Sequence, residues 1–180
     1  MLEQQNTILV CIDIQENLAK AMFDRDRLIA NSCKLISGFA VLDIPILWTE
    51  QNPDRLGPTL HAIAKGMPAG ARPVSKMSFS CCGSDDFVQA LKSLRHTDVL
   101  LIGIETHICV LQTAMDLLGL GFRVQVAADC VCSRTPENNA VGIERMRSMG
   151  VQITSVETAL FELLGSAAEP RFREIAKIIK

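Results

Sequence analysis

The stretch GIETHICVLQTA, residues 103–114, follows the apolar run DVLLI at residues 98–102 and leads into an amphipathic segment that ends near Gly119. This order predicts a buried strand that passes through a short loop into a helix, with Cys109 at the start of that helix. Unpaired N–H groups and the positive end of the macrodipole favour a thiolate at a helix N-terminus. Cys109 is therefore a candidate nucleophile, and the alternative is a buried cysteine that serves only as a small apolar residue.

Two other predicted strands carry a charged residue at or near their ends. The apolar run TILVCID at residues 7–13 ends in Asp13, and residues 72–78 form a strand with Lys76 near its end. Because the carboxyl ends of parallel strands converge at one edge of a sheet, Asp13, Lys76 and Cys109 can meet there. Each charged residue also has a simpler role open to it: Asp13 as a helix cap and Lys76 as a solvated surface charge.

Strands and helices alternate along the rest of the chain. Further strands are predicted at residues 45–49, 123–128 and 151–155, and helices at residues 27–43, 86–94, 137–149, 157–164 and 169–180. Asp129 is expected to end the fifth strand as Asp13 ends the first. This alternation indicates βαβ units and a mainly parallel sheet. The predicted fold is a single α/β domain over residues 1–180, with an open, mainly parallel six-stranded sheet and helices on both faces.

Three motifs resemble those of one known family. CIDIQ at residues 11–15, SKMSFS at residues 75–80 and GIETHICVLQTA at residues 103–114 are similar to motifs of the isochorismatase-like cysteine hydrolases, which include the nicotinamidases. The resemblance extends from about Thr7 to about Leu164. It is closest to the isochorismatase domain-containing branch of that family.

The resemblance implies a catalytic set of Asp13, Lys76 and Cys109. In that set Lys76 supplies a cation that favours the thiolate, and Asp13 carries protons between the thiol, the leaving group and water. The resemblance also implies that the backbone N–H groups of Glu105 and Cys109 bind the oxyanion, with a cis peptide bond between Ile104 and Glu105.

The candidate substrate pocket consists of Gln15, Glu50, Gln51 and Phe79, which flank the same predicted strand ends. Nicotinamidases hold a divalent metal with an aspartate and two histidines near the second strand. At that place this chain has Glu50, Gln51 and a lone His61 in a predicted helix. We therefore expect neither a metal ion nor another cofactor.

Composition narrows the possible partners. Eighteen Lys and Arg against twenty Asp and Glu give a net charge of −2 without a basic block, and aromatic residues make up only 4%, so we expect no nucleic acid. The sequence has no apolar run of roughly 18 residues, so we expect no membrane-spanning helix. Seven scattered cysteines are typical of reduced thiols in the cytoplasm. The expected partners are a small-molecule substrate and, through the last helix, further copies of the chain.

These features favour a cofactor-independent hydrolase that cleaves an amide-type C–N bond of a small molecule, because a thiol acyl-enzyme suits amides. The alternative is a non-catalytic protein of the same fold that binds a small molecule or forms oligomers. A dinucleotide-binding oxidoreductase is set aside. Its glycine-rich turn would follow a strand, whereas the candidate turn Gly119-Leu120-Gly121 follows a predicted helix.

Overall fold

Six strands form one sheet in the computed structural model, which describes residues 1–180. The strands are β1 (Thr7–Ile12), β2 (Ile46–Gln51), β3 (Val74–Lys76), β4 (Asp98–Ile104), β5 (Arg123–Cys132) and β6 (Gln152–Thr154). Their order across the sheet is β3-β2-β1-β4-β5-β6, and every neighbouring pair is parallel. The predicted α/β fold with an open six-stranded sheet is confirmed, and the sheet is entirely parallel.

Helices cover both faces of this sheet. They are α1 (Glu16–Ala19), α2 (Arg25–Val41), α3 (Pro53–Leu56), α4 (His61–Ala64), α5 (Asp85–Ser93), α6 (Leu111–Gly119), α7 (Pro136–Ser148), α8 (Val156–Leu164) and α9 (Phe172–Ile179). Helices α2, α8 and α9 share one apolar core with the sheet, while α5, α6 and α7 share the other. None of the helices has both the length and the apolar character that crossing a bilayer requires.

Strand β1 shows why the sheet is buried on both faces. Its alternate residues Leu9 and Cys11 belong to the core that contains α2, whereas Ile8 and Val10 belong to the core that contains α5 and α6. All four residues are buried. A continuous apolar run of this kind is typical of a central parallel strand, because successive side chains point to opposite faces.

The strand order reverses between β1 and β4, which lie side by side at the centre of the sheet. In open α/β sheets the crevice beyond the carboxyl ends of such strands is where ligands bind. Asp13 follows β1 and Glu105 follows β4 at this crevice. The two strands approach closely at Gly103, where the backbone has φ 132° and a Cβ atom would lie 2.1 Å from the carbonyl oxygen of Ile12. Only glycine fits there.

Two strands extend further than the sequence predicts. Strand β2 continues beyond the predicted residues 45–49 through Glu50 and Gln51, because both residues pair with β3. Strand β5 continues past Asp129 to Cys132, so Asp129 does not end it. The Asp129 carboxylate instead accepts the backbone N–H of Val156 at the start of α8, at 3.0 Å.

Candidate active site

Lys76 and Asp13 form a buried ion pair at the carboxyl edge of the sheet. The Nζ atom of Lys76 lies 2.6 Å from Oδ2 of Asp13, and both side chains are 0% exposed. Lys76 is the last residue of β3 and Asp13 follows β1, so the lysine side chain reaches past β2. The pair excludes the two simpler roles, since Lys76 is not solvated and Gln15, not Asp13, occupies the N-cap of α1.

The ammonium group of Lys76 has a complete set of acceptors. Besides Asp13, it donates to Oε1 of Gln51 at 3.0 Å, to the carbonyl oxygen of Ser78 at 3.2 Å and to that of Phe79 at 3.0 Å. An ammonium group has three N–H bonds, so these four acceptors leave none free for a substrate. Lys76 therefore acts on its surroundings through its charge and its fixed position.

Asp13 is held by a second strand residue. The hydroxyl of Thr49 donates to Oδ1 of Asp13 at 2.7 Å, and the same hydroxyl lies 3.7 Å from Sγ of Cys81. Thr49 and Cys81 were not singled out from the sequence. One signal was present: Thr49 and Gln51 are polar residues at alternate positions of β2, which places both on one face.

The predicted pocket residues mostly bind other protein groups. Gln15 is buried, and its side chain donates to the carbonyl oxygens of Gln51 at 3.0 Å and Gly57 at 2.7 Å. The Glu50 carboxylate accepts the backbone N–H of Thr59 at 2.6 Å and its hydroxyl at 2.7 Å. Gln51 contacts Lys76, and only the side chain of Phe79, at 54% exposure, faces solvent freely. Their role as substrate contacts stays a prediction.

Cys109 lies in a wide turn, not in the first turn of an α-helix. Residues Thr106–Val110 form a π-helical turn that precedes α6, with the N–H of Val110 bonded to the carbonyl oxygen of Glu105 at 3.2 Å. Such turns are rare and are found mostly at functional sites. Cys109 is 6% exposed, whereas the Asp13 and Lys76 side chains are not exposed at all. Among the three residues, Cys109 is the most exposed.

Burial raises the pKa of the Cys109 thiol to about 12; the Lys76 charge lowers this pKa, and the Asp13 carboxylate raises it. The balance favours a neutral thiol near pH 7, in contrast to the thiolate expected from the sequence. Burial likewise raises the pKa of the Cys81 thiol to about 12. The sequence could not disclose this, because burial depends on the packed structure.

The turn around Cys109 is anchored on both sides. Oγ1 of Thr106 donates to Oδ1 of Asn139 on α7 at 2.6 Å, and Nδ1 of His107 lies 2.9 Å from Oγ of Ser133. These contacts give Thr106 and His107 structural roles in holding the turn. Gly142 of α7 packs against the same turn so closely that a Cβ atom there would lie 2.9 Å from the backbone nitrogen of His107.

The peptide bond between Ile104 and Glu105 is cis, as the family resemblance implied. The backbone N–H of Glu105 donates to no group of the protein, while its carbonyl oxygen accepts from Ile108 and Val110. The Glu105 carboxylate pairs with Nε of Arg134 at 2.9 Å, a contact that sequence reasoning missed. Glu105 thus has a free N–H donor beside the turn that carries Cys109.

No group of three or more His, Cys, Asp or Glu side chains is placed to hold a metal ion. His61 is the first residue of α4, and the Glu50 carboxylate accepts a hydrogen bond from the backbone N–H of Thr59. The cavities on the surface of the chain are lined by residues other than Asp13, Lys76 and Cys109.

The fold and the geometry at the strand ends define a class of α/β protein with known structures. The solved structure named as MAR1 ribonuclease from Caenorhabditis elegans matches with a TM-score of 0.94 and 33% sequence identity, over 99% of this chain and 91% of that chain. The chain thus shares the α/β fold of that solved structure.

Comparison of sequences assigns the family. Residues 7–158 match the model of the isochorismatase domain. The secreted isochorismatase effector Isc1 of Phytophthora sojae is 36% identical over 183 residues, which cover 100% of this chain and 87% of that protein. Isochorismatase domain-containing protein 2 of Rattus norvegicus is 36% identical over 177 residues, with 98% of this chain and 82% of that protein covered. The chain therefore belongs to the isochorismatase family, which confirms the resemblance read from its motifs.

Proposed function

We propose that this chain is a cofactor-independent hydrolase that cleaves the amide-type C–N bond of a small molecule. Cys109 is the nucleophile, Asp13 the proton carrier and Lys76 the fixed positive charge. The observation that carries the proposal is the fully buried pair of Lys76 and Asp13, both of which act on the pKa of the Cys109 thiol. Buried ion pairs contribute little to stability, so such a pair in a crevice at strand ends favours a chemical role.

The first half of the reaction forms a thioester. Because the resting thiol is neutral, Asp13 takes its proton as Sγ of Cys109 forms a bond to the carbonyl carbon. Each carboxylate oxygen has two lone pairs, so Asp13 can accept this proton while it keeps its bonds to Lys76 and Thr49. The carbonyl electrons move onto oxygen, which the N–H groups of Glu105 and Cys109 bind. The C–N bond then breaks, and the amine leaves with the proton from Asp13.

The second half of the reaction returns the free thiol. A water molecule attacks the thioester carbon while Asp13 accepts one of its protons. The C–S bond breaks, its electrons return to sulfur, and Cys109 takes that proton back. The products are a carboxylic acid and an amine or ammonia. Lys76 transfers no proton in this scheme, because its N–H groups are all engaged within the protein.

A panel of small primary amides with ammonia detection tests this proposal. We expect ammonia release from at least one amide by the parent protein and none by Cys109→Ala. Cys33→Ala is the matched control, because Cys33 lies on α2 and its thiol donates a hydrogen bond only to the carbonyl oxygen of Ala62. Activity should survive chelators, and elemental analysis should find no stoichiometric metal. Equal ammonia release by the parent and Cys109→Ala would overturn the proposal.

A non-catalytic binding protein is the alternative. It predicts that an amide or a related small molecule binds to the parent and to Cys109→Ala with the same affinity and is never converted. Calorimetric titration together with the ammonia assay separates the two roles.

The name of the Caenorhabditis elegans relative makes RNA a second substrate class to test. The net charge of −2 and the fully buried ion pair argue against it, since RNA binding needs an accessible basic surface. Degradation of RNA by the parent that disappears in Cys109→Ala would favour RNA over small amides. Degradation that persists in this variant would indicate a contaminating nuclease.

We further propose a homo-oligomer in the cytoplasm. Met115, Leu120, Val141 and Phe161 are exposed apolar side chains that a partner copy could cover. All seven cysteines are free, as in proteins of reducing compartments. Light scattering on the purified protein tests the first point, and a mass of about one chain would contradict it. Cell fractionation tests the second.

A further inference from the structure

We propose that Thr49 is a positioning residue for the reaction, one that holds the Asp13 carboxylate in the orientation needed to exchange protons with Cys109. This inference rests on the proposed function. Thr49 is 1% exposed, and its hydroxyl donates to Oδ1 of Asp13 at 2.7 Å. Its carbonyl oxygen also accepts the backbone N–H of Asp13 at 3.3 Å. Residue 49 therefore binds Asp13 through both its side chain and its main chain.

Thr49 and Lys76 together fix both oxygens of the carboxylate. Oδ2 of Asp13 takes the ammonium group and Oδ1 takes the hydroxyl, which sets the plane of the carboxylate and directs the remaining lone pairs. Both donors bind the charged form better than the neutral form. Without the hydroxyl, the carboxylate would be free to turn about the bond to Lys76.

The same hydroxyl links the proton carrier to the helix that follows the nucleophile. Sγ of Cys81 lies 3.7 Å from Oγ1 of Thr49, and the backbone N–H of Cys81 donates to Oγ1 of Thr113 at 3.0 Å. Thr113 is on α6, one helical turn beyond Cys109. A continuous chain of buried contacts thus runs from Asp13 through Thr49 and Cys81 to the helix that follows the nucleophile.

Two substitutions separate positioning from packing. Thr49→Val keeps the shape and removes the hydroxyl, whereas Thr49→Ser keeps the hydroxyl and removes a methyl group. Positioning predicts that Thr49→Val lowers kcat/KM about 10- to 100-fold, mainly through kcat, and displaces the acid limb of the pH profile. The kcat/KM of Thr49→Ser should stay within about threefold of the parent value, because the serine hydroxyl can still donate a hydrogen bond to the charged carboxylate. A packing role predicts the reverse order.

Thr154→Val is the matched control, because Oγ1 of Thr154 on β6 is buried without a hydrogen-bond partner. Its kcat/KM and pH profile should match those of the parent. The proposal is overturned if Thr49→Ser is as impaired as Thr49→Val, or if Thr49→Val retains the activity and pH profile of the parent. If even the parent releases no ammonia, the proposed function fails, and Thr49 is then judged from the pH profile of Cys109 alkylation. Thr49→Val should displace that profile while Thr49→Ser and Thr154→Val overlay the parent; an undisplaced Thr49→Val profile would contradict the positioning role.

Discussion

The Nζ atom of Lys76 lies 2.6 Å from Oδ2 of Asp13, although strand β2 separates the strands that carry them. Both side chains are fully buried, and the charges oppose each other in their effect on the Cys109 thiol. The chemistry proposed for this site depends on that pair. Substitution of Lys76 should therefore raise the pKa of the Cys109 thiol, and substitution of Asp13 should lower it. Both substitutions should stop turnover.

We predict that Lys76→Met slows alkylation of Cys109 at neutral pH and abolishes turnover. The Lys76 charge lowers the pKa of the Cys109 thiol, so its loss leaves even less thiolate. The variant also leaves Asp13 as an unpaired buried charge, which costs about 3–5 kcal/mol of unfolding free energy. Peptide mass spectrometry of iodoacetamide-treated protein measures the rate at Cys109. A rate equal to that of the parent in a folded variant would show that the lysine does not act on the thiol.

Asp13→Asn should have the opposite effect on the thiol. The Asp13 carboxylate raises the pKa of Cys109, so its neutralisation should quicken alkylation, while turnover collapses because no group carries the proton. The same peptide assay and the ammonia assay measure the two effects. Slower alkylation together with retained turnover would refute the role given to Asp13. Thermal melting of each variant checks that the fold is intact.

Stability should fall as the pH rises above 9. Burial raises the pKa of the Cys81 and Cys109 thiols from 9.0 to about 12, and that of Cys82 to about 11. Between these values the unfolded chain loses thiol protons that the folded chain retains, so the slope of unfolding free energy against pH is negative. The stabilisation is complete below pH 9 and is lost towards pH 12. The chain has no tyrosine, so lysines are the main other groups that titrate in this window.

Urea unfolding at pH 7, 8.5 and 10 measures this dependence. Cys81→Ala should flatten the decline, because it removes one of the buried thiols. Cys33→Ala should change the decline less, since Cys33 is only half-buried. A midpoint that stays constant up to pH 10 would contradict the raised pKa values.

Gly142→Ala should disturb the turn that carries Cys109. Its new Cβ atom would lie 2.9 Å from the backbone nitrogen of His107, so α7 or the turn must shift. We expect a loss of about 1–3 kcal/mol of unfolding free energy and a clear fall in kcat. Gly119→Ala is the control, because a Cβ atom at the end of α6 meets nothing within 4 Å. Equal effects of the two substitutions on kcat would remove the argument that α7 positions the turn.

Much of the fold was predictable because the periodicity of apolar residues and the ends of strands can be recognised from short stretches of sequence. The runs before Asp13 and Cys109 are buried strands, and their carboxyl ends converge as parallel strands must. The predicted end of β2 was wrong because Glu50 and Gln51, shortly before Pro53, resemble loop residues. In the structure, pairing with β3 keeps both residues in the sheet. Long-range pairing of this kind leaves no local signal.

The site was predictable in its charged members but not in the groups that hold them. Thr49 is an ordinary strand residue until the structure brings it to Asp13, 36 positions away in the chain. The charge state of Cys109 was also beyond the sequence, because the helix terminus suggested a thiolate while burial opposes one. Short stretches of sequence predict where helices and strands end. The desolvation of a thiol depends instead on all the residues packed around it in the folded chain.

The covalent intermediate at Cys109 tests the account most directly. The parent protein is mixed with an amide that it hydrolyses, quenched in acid during the steady state and measured as intact protein and as peptides by mass spectrometry. We predict a mass increase equal to the acyl group on the peptide that carries Cys109, and no such adduct in Cys109→Ala. Continued turnover by Cys109→Ala, or an acyl group found on a different residue, would contradict the account.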